Sequence, residues 1–268
     1  MKLLRRWLSS TVGFIARLQQ PRPLIWLLMV WFQRRYKLDM NEAEKPLNQY
    51  KSLVDLFTRK LKPELRPIGS SNLIHPCDSE ILRYGKIEND TLIQAKGIDY
   101  NLQEFIPLPN VRDQFNFGHY ITYYLCPTDY HRVHSPIKGE IKRVKHIPGD
   151  LYPVHKSMVK RQSKLYCANE RVYVEIQSEW GPIGVVFVGA TNVGSIRLSF
   201  EAKIRGNSSA SKTDLLVYNP ALSVQKGAEL GSFHMGSTIV LILSSSVARE
   251  VQWGQLKRDK VKWGEAFP

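Results

Sequence analysis

The chain has 268 residues, 43% hydrophobic and 23% charged, which is ordinary for a folded soluble or peripheral protein and leaves room for one sizeable core plus a small appendage. Its three cysteines, Cys77, Cys126 and Cys167, are scattered and lack CxxC spacing, so neither a disulfide framework nor a zinc site is suggested, and a reducing compartment fits. The net charge of +14 is the unusual quantity, and it implies an anionic partner: nucleic acid or an anionic lipid surface.

That charge is unevenly placed. Residues 1–38 hold eight Lys or Arg, no acidic residue, and Trp7, Trp26 and Trp31, half of the tryptophans. Leu3, Leu4, Trp7, Leu8, Val12, Ile15 and Leu18 recur at helical spacing, with Arg5, Arg6 and Arg17 largely elsewhere, which predicts an amphipathic helix with a basic face. After the Pro21-Arg22-Pro23 break comes an apolar run over Leu24–Phe32, too short for the roughly 20 residues of a membrane-spanning helix. Three readings fit this arm: a segment lying in a membrane interface, an Arg-rich transit peptide, or helices packed on the core with a solvated basic face. A secretory signal fits poorly, because Arg17 and Gln19-Gln20 interrupt any apolar core.

Residues 41–61 have helical texture, with an amphipathic helix predicted from Tyr50 and ending near Pro63. Beyond Arg66-Pro67 short apolar, β-favouring runs are divided by Gly, Pro, Asn and Asp: Ile81–Tyr84, Thr91–Ala95, Tyr120–Leu125, Arg171–Ile176, Ile183–Val188, Ile196–Phe200 and Ile239–Leu243. A polar loop is expected at 206–214, and no repeat interrupts the pattern. The fold class expected is α+β: a mainly β catalytic domain over 39–268, preceded by N-terminal amphipathic helices in the basic arm 1–38.

Three places carry chemistry. His131, Arg132 and His134 lie within four residues, in a Pro-bounded loop after a predicted strand, offering acid–base groups and an anion clamp. A metal role for the histidines lacks a third ligand at supporting spacing, and hydrogen bonding in a turn is the plain structural alternative. Asp78 sits in a Pro-marked turn before a strand, where an aspartate most often bonds its own backbone. Gly236-Ser237-Thr238 precedes the last apolar run; alone it reads as a turn entering a strand. A serine held in such a bend can attack the preceding peptide carbonyl, and glycine leaves that carbonyl open. An Asp that orients a His that deprotonates a Ser is the general form of an activated nucleophile.

With these residues in view, the sequence resembles the bacterial-type phosphatidylserine decarboxylase proenzymes. The matching blocks are YKLDMNEAEKP (36–46), LRPI (65–68), HPCDSEI (75–81), GKIENDTLIQAKG (85–97), YLCPTDYHRVHSPIKGEI (124–141), PGDLYPV (148–154), NERV (169–172), VGATNVGSI (188–196) and KGAELGSFHMGST (226–238). The resemblance implies that Asp78 and His134 form the charge-relay pair that activates Ser237. It further implies cleavage between Gly236 and Ser237 into a β chain (1–236) and an α chain (237–268), with Ser237 becoming a pyruvoyl cofactor. His131 would lie at the substrate, and the implied reaction decarboxylates phosphatidylserine to phosphatidylethanolamine through a Schiff base. Partners implied are an anionic membrane, at the cytoplasmic face of a bacterial cell membrane, and a second cleaved protomer in a homodimer; no nucleic-acid partner and no metal are expected. Two departures are Met235 where leucine is commoner, and Ser79 where a glycine commonly follows the aspartate.

Two other readings stand beside this one. A non-catalytic basic module binding membrane or nucleic acid would explain the charge and the tryptophans, but not why Asp78, His134 and Ser237 occur together. An ordinary Ser-His-Asp hydrolase lacks its Gly-x-Ser-x-Gly elbow here.

Overall fold

The computed structural model describes residues 11–95, 98–191, 196–204, 214–234, 237–257 and 259–268, with the backbone alone for Ala95 and Ser237. Helix α1 covers residues 11–17 and α2 covers Arg22–Tyr36. The Pro-Arg-Pro break is where α2 starts: Pro21 caps it, and Pro23 occupies the first turn, where a missing N–H costs nothing. Lys37, in the left-handed region at φ 52°, closes the helix by donating its N–H to the carbonyls of Arg34 and Gln33. Ile25, Met29 and Phe32 recur at helical spacing and are buried, whereas Leu24, Trp26, Leu27 and Trp31 are exposed. Among the described residues no helix is long and apolar enough to cross a membrane. The Leu3–Leu8 part of the predicted amphipathic helix lies outside the described residues.

The helical texture of 41–61 resolves into less helix than expected. A 3-10 turn spans Leu47–Gln49, and α3 covers only Leu53–Phe57. Tyr50 and Ser52 are extended between them, because the Ser52 side chain accepts from the Asp55 N–H and so sets the start of α3. Leu53, Val54, Leu56 and Phe57 pack with Tyr50, Ile25, Met29, Phe32 and Leu38 into an apolar cluster separate from the main core.

The main core is built on an antiparallel sheet of eight strands. They are β1 (Ser79–Lys86), β4 (His119–Leu125), β6 (Gly139–Ile147), β7 (Arg171–Ser178), β8 (Gly181–Val188), β10 (Leu215–Val224), β12 (Ser237–Leu243) and β13 (Lys260–Val261), in the order β10-β6-β7-β8-β12-β4-β1-β13. A three-stranded sheet orders β5 (Arg132–His134), β11 (Glu229–Phe233) and β9 (Ile196–Leu198) as β5-β11-β9, and β2 (Thr91–Ala95) pairs with β3 (Ile98–Asn101). The fold is α+β, with helices preceding a β-rich body. Every predicted strand is present. β12 reads as an unbroken apolar run rather than an alternating one because both its faces are covered, and Ile239 to Leu243 are all fully buried.

The topology puts one strand start in an unusual place. β12 lies between β4 and β8, with Ser237 opposite Leu125 and Thr238 opposite Tyr124 and Val188. The chain reaches it from β11, so the small sheet delivers its last strand directly into the middle of the large one. Gly236 and most of the polar loop predicted at 206–214 lie outside the described residues.

Candidate active site

The segment that leaves β4 opposite Ser237 carries both histidines. It turns at Cys126–Asp129, where the Cys126 N–H donates to the Asp129 carboxylate and the Asp129 N–H to the Cys126 carbonyl. His131 follows, fully buried, with Nδ1 2.9 Å from the Asp129 carbonyl. A carbonyl only accepts, so Nδ1 carries the proton and Nε2 presents a lone pair. That Nε2 is buried and has no partner among the described residues. Burial drives the His131 pKa down to about 3 against the help of the Asp129 carbonyl, so the ring is neutral at pH 7. Phe57 of α3 lies against the ring at 3.9 Å between centroids, and the His131 carbonyl accepts from the Phe233 N–H. His131 is thereby fixed beside the end of β11, four residues ahead of Ser237. Thr238, next along, buries a hydroxyl that likewise has no partner among the described residues.

His134 ends β5. Its Nδ1 donates to the Gly227 carbonyl at 2.8 Å, which leaves Nε2 to accept from the Tyr130 hydroxyl at 3.1 Å. Burial lowers its pKa too, opposed by the Gly227 carbonyl and the Glu229 carboxylate. Gly227 sits at φ +80° in the turn before β11, and a Cβ there would approach Ile68 Cδ1 to 2.5 Å, so only glycine presents that carbonyl without strain. The indole of Trp263 covers the other side of the ring, 3.8 Å between centroids with the planes 6° apart.

Asp78 is buried in the turn before β1 and its carboxylate is fully engaged. The Arg66 guanidinium donates to both oxygens, with the closest contact at 2.5 Å, and the Trp263 backbone N–H donates to Oδ1 at 2.9 Å. Arg66 also holds Glu42 at 3.0 Å. The two members of the expected relay are therefore joined through Trp263, whose backbone binds Asp78 and whose ring lies on His134, with no direct hydrogen bond between them. Asp78 acts on His134 by charge, raising its pKa against the effect of burial.

Sequence reasoning assigned no role to Arg66, Trp263, Tyr130 or Gly227. Tyr130 lies four residues before His134 in the 124–141 motif, and Arg66 lies in the 65–68 motif, so the sequence carries a signal for both. Trp263 reaches the site from far along the chain and gave no signal. Among the described residues no group of three His, Cys, Asp or Glu could hold a metal ion.

A sequence model of the family described as "Phosphatidylserine decarboxylase" matches residues 53–267. Relatives described as "Phosphatidylserine decarboxylase proenzyme" include one from Myxococcus xanthus, 36% identical over 92% of this chain and 87% of its own length. Another, from Idiomarina loihiensis, is 42% identical over 80% of this chain and 76% of the relative. A third, from Legionella pneumophila, is 35% identical over 96% and 92%. The α+β chain with its pair of buried neutral histidines is an enzyme of the decarboxylase class, which removes the reading as a non-catalytic basic module. It belongs to the phosphatidylserine decarboxylase family.

Proposed function

We propose that this chain cuts itself between Gly236 and Ser237 and then, as a two-chain peripheral membrane enzyme, converts phosphatidylserine to phosphatidylethanolamine and carbon dioxide. In self-cleavage the Ser237 hydroxyl attacks the Gly236 carbonyl. Its proton passes to Nε2 of His134, whose present partner is the Tyr130 hydroxyl. An N-to-O acyl shift makes an ester, β-elimination then ends chain 1–236 in a carboxylate and leaves dehydroalanine at 237, and water converts this residue to a pyruvoyl group with loss of its nitrogen as ammonia. A neutral imidazole is what a base needs at pH 7, and the lowered pKa of His134 supplies it. Asp78 contributes a fixed negative charge that favours the imidazolium as it forms.

Residues near the start of β12 suit such a group, because His131 Nε2 and Thr238 Oγ1 are buried polar atoms without partners among the described residues. A pyruvoyl group there would supply Schiff-base chemistry toward the substrate amine and an electron sink for decarboxylation. After loss of carbon dioxide, Cα needs a proton. We assign it to His131 or His134, and favour His131 because its Nε2 has no partner among the described residues. The Phe57 ring against His131 forms an apolar wall, which disfavours a charged carboxylate beside it and so favours its departure.

Membrane association is assigned to residues 1–38, where α2 exposes Leu24, Trp26, Leu27 and Trp31 beside Arg34 and Arg35. The cytoplasmic face of a bacterial cell membrane, and a homodimer of cleaved protomers, complete the reading. The observation that carries it is Ser237 at the head of a central strand, opposite the end of the strand that leads into the segment of His131, a buried histidine whose Nε2 has no partner among the described residues. A denaturing gel with intact-mass measurement tests it: two chains and a blocked N-terminus at residue 237 are expected, and Ser237→Ala should give one chain. Active wild-type protein that remains a single chain would refute the pyruvoyl assignment.

A further inference from the structure

Arg59 is a buried cation whose hydrogen-bonding capacity is largely unused. It follows α3, is 4% exposed, and spends one N–H, from Nη2, on the Thr128 carbonyl at 3.0 Å. Its Nε and Nη1 are buried without partners among the described residues. The Tyr50 hydroxyl oxygen faces the Lys45 backbone N–H, but its own proton has no acceptor among the described residues, and Tyr50 and Arg59 both line a pocket of about 100 Å³, room for one oxyanion. Orphaned donors inside a protein carry a large desolvation cost, so two side chains aimed into one pocket point to a ligand that satisfies them.

The pocket is electropositive. Lys45, Lys60 and Arg132 join Arg59 in its lining, against Glu44 and Asp55, and Arg132 is already paired with Glu229 at 2.8 Å. Of the two acids, Asp55 is turned to the Lys51 backbone N–H. The carboxylates nearest Arg59 in charge are Asp78, Glu42 and Asp129. The first two are bound by Arg66, and Asp129 accepts from the Cys126 N–H, so none occupies the unused donors.

The pocket also lies between the N-terminal helix cluster and the histidine segment. On one side Tyr50 belongs to the apolar cluster of α2 and α3 that carries the exposed tryptophans. On the other, the strand of chain at 57–59 is fastened to the histidine segment: Phe57 lies on His131, the Thr58 carbonyl accepts from Arg132 Nε at 2.9 Å, and Arg59 binds Thr128.

We propose that Arg59 and Tyr50 form an oxyanion site that holds the phosphodiester of the substrate headgroup, an assignment that rests on the decarboxylase reading above. Phosphatidylserine offers two anions, a phosphodiester and a carboxylate. A guanidinium on the carboxylate would stabilise the charge that the reaction must remove, opposing catalysis, whereas a guanidinium on the phosphodiester binds ground and transition states alike. Planar N–H donors match phosphate oxygens, and the raised pKa of buried Tyr50 keeps it a donor.

The test uses the full-length protein after its cleavage has been scored on a gel. Thermal melting is followed with sn-glycero-3-phosphoserine, inorganic phosphate and L-serine, for wild type, Arg59→Met and Arg59→Lys. Glycerophosphoserine and phosphate should raise the wild-type melting temperature while L-serine does not. Arg59→Met should bind glycerophosphoserine at least ~30-fold more weakly, the lower end of what losing one member of a buried charged pair costs. Arg59→Lys, which keeps the charge and loses the fork, should fall between them and serves if the methionine variant does not fold. With phosphatidylserine vesicles the loss should appear in KM more than in kcat. Equal shifts in wild type and both variants, or a shift produced by L-serine, would overturn the proposal. A shift with inorganic phosphate alone would overturn the headgroup assignment. Wild-type protein that stays uncut fails the decarboxylase reading itself, whereas cut, active protein indifferent to Arg59 fails only this inference.

Discussion

The indole of Trp263 lies flat on the imidazole of His134, 3.8 Å between centroids, while its backbone N–H holds the carboxylate of Asp78 at 2.9 Å. One residue thus sets the surroundings of the proposed base and the position of its acidic partner. It also comes from the C-terminal side of the Gly236–Ser237 bond, so the short chain would contribute both the reacting serine and the cover over His134.

Trp263→Ala should let water reach His134 and raise its pKa toward the ordinary value near 6.5, because burial is the main cause of its depression. The acid limb of the pH–rate profile for self-cleavage should move to higher pH, and Trp263→Phe should restore most of the wild-type profile. The half-buried indole makes the stability loss modest, about 1–3 kcal/mol by urea melting.

Asp78→Asn should slow self-cleavage and destabilise the fold by roughly 3 kcal/mol, since it leaves the buried Arg66 guanidinium to Glu42 alone. Restoring the charge with Asp78→Glu should recover part of the stability but little of the rate, because the Trp263 N–H is then out of register. Cleavage half-times and urea midpoints on the same preparations check both halves of the statement.

His131, His75 and His234 are buried, with pKa values pushed down mainly by burial to about 3, about 4 and about 4. The unfolded chain takes up protons at these rings near pH 6.5 while the folded chain does not. Their contribution is therefore whole above pH 6.5 and lost as pH falls toward 4, by about 1.4 kcal/mol per pH unit for each ring. Melting curves at pH 7, 6 and 5 should show an accelerating loss of stability, and a flat profile would contradict it.

Trp26 and Trp31 are 49% and 55% exposed on α2. Replacing both with alanine should cut partitioning onto phosphatidylserine-containing vesicles at least ~10-fold, with little change in melting temperature. Arg34→Gln with Arg35→Gln should instead reduce the salt dependence of binding, at about 1 kcal/mol per charge. Sedimentation with vesicles at two ionic strengths separates the contributions.

The strands were legible because a buried β run advertises itself: Ile239–Leu243 and Ile183–Val188 admit little but apolar residues when both faces are covered. The helix over 41–61 was over-read because Leu53, Val54, Leu56 and Phe57 have helical spacing, while Ser52, which starts α3 late, acts through a single hydrogen bond. Asp78, His131 and His134 stood out by residue type and motif, but the sequence could not say what each one touches. Arg66 holds Asp78 across twelve residues of chain, and Trp263 across far more; the antiparallel pairing of β1 with β13 is what brings Trp263 to Asp78. Arg59 was the least visible, since an arginine at the end of an amphipathic helix usually means a solvated tip.

β12 is flanked on both sides, by β4 and by β8, from Thr238 to Leu243. A cut just ahead of it therefore releases nothing, and the severed piece stays clamped as an inner stave of the sheet. What the cut removes is the covalent route back. The intact chain folds with β12 tethered to the body, but the nicked protein, once melted, must recapture from solution a separate peptide that begins with this apolar strand. Maturation on this reading is a ratchet: heat-denatured enzyme should recover less well the more dilute it is, while the uncut Ser237→Ala chain should refold equally at any dilution.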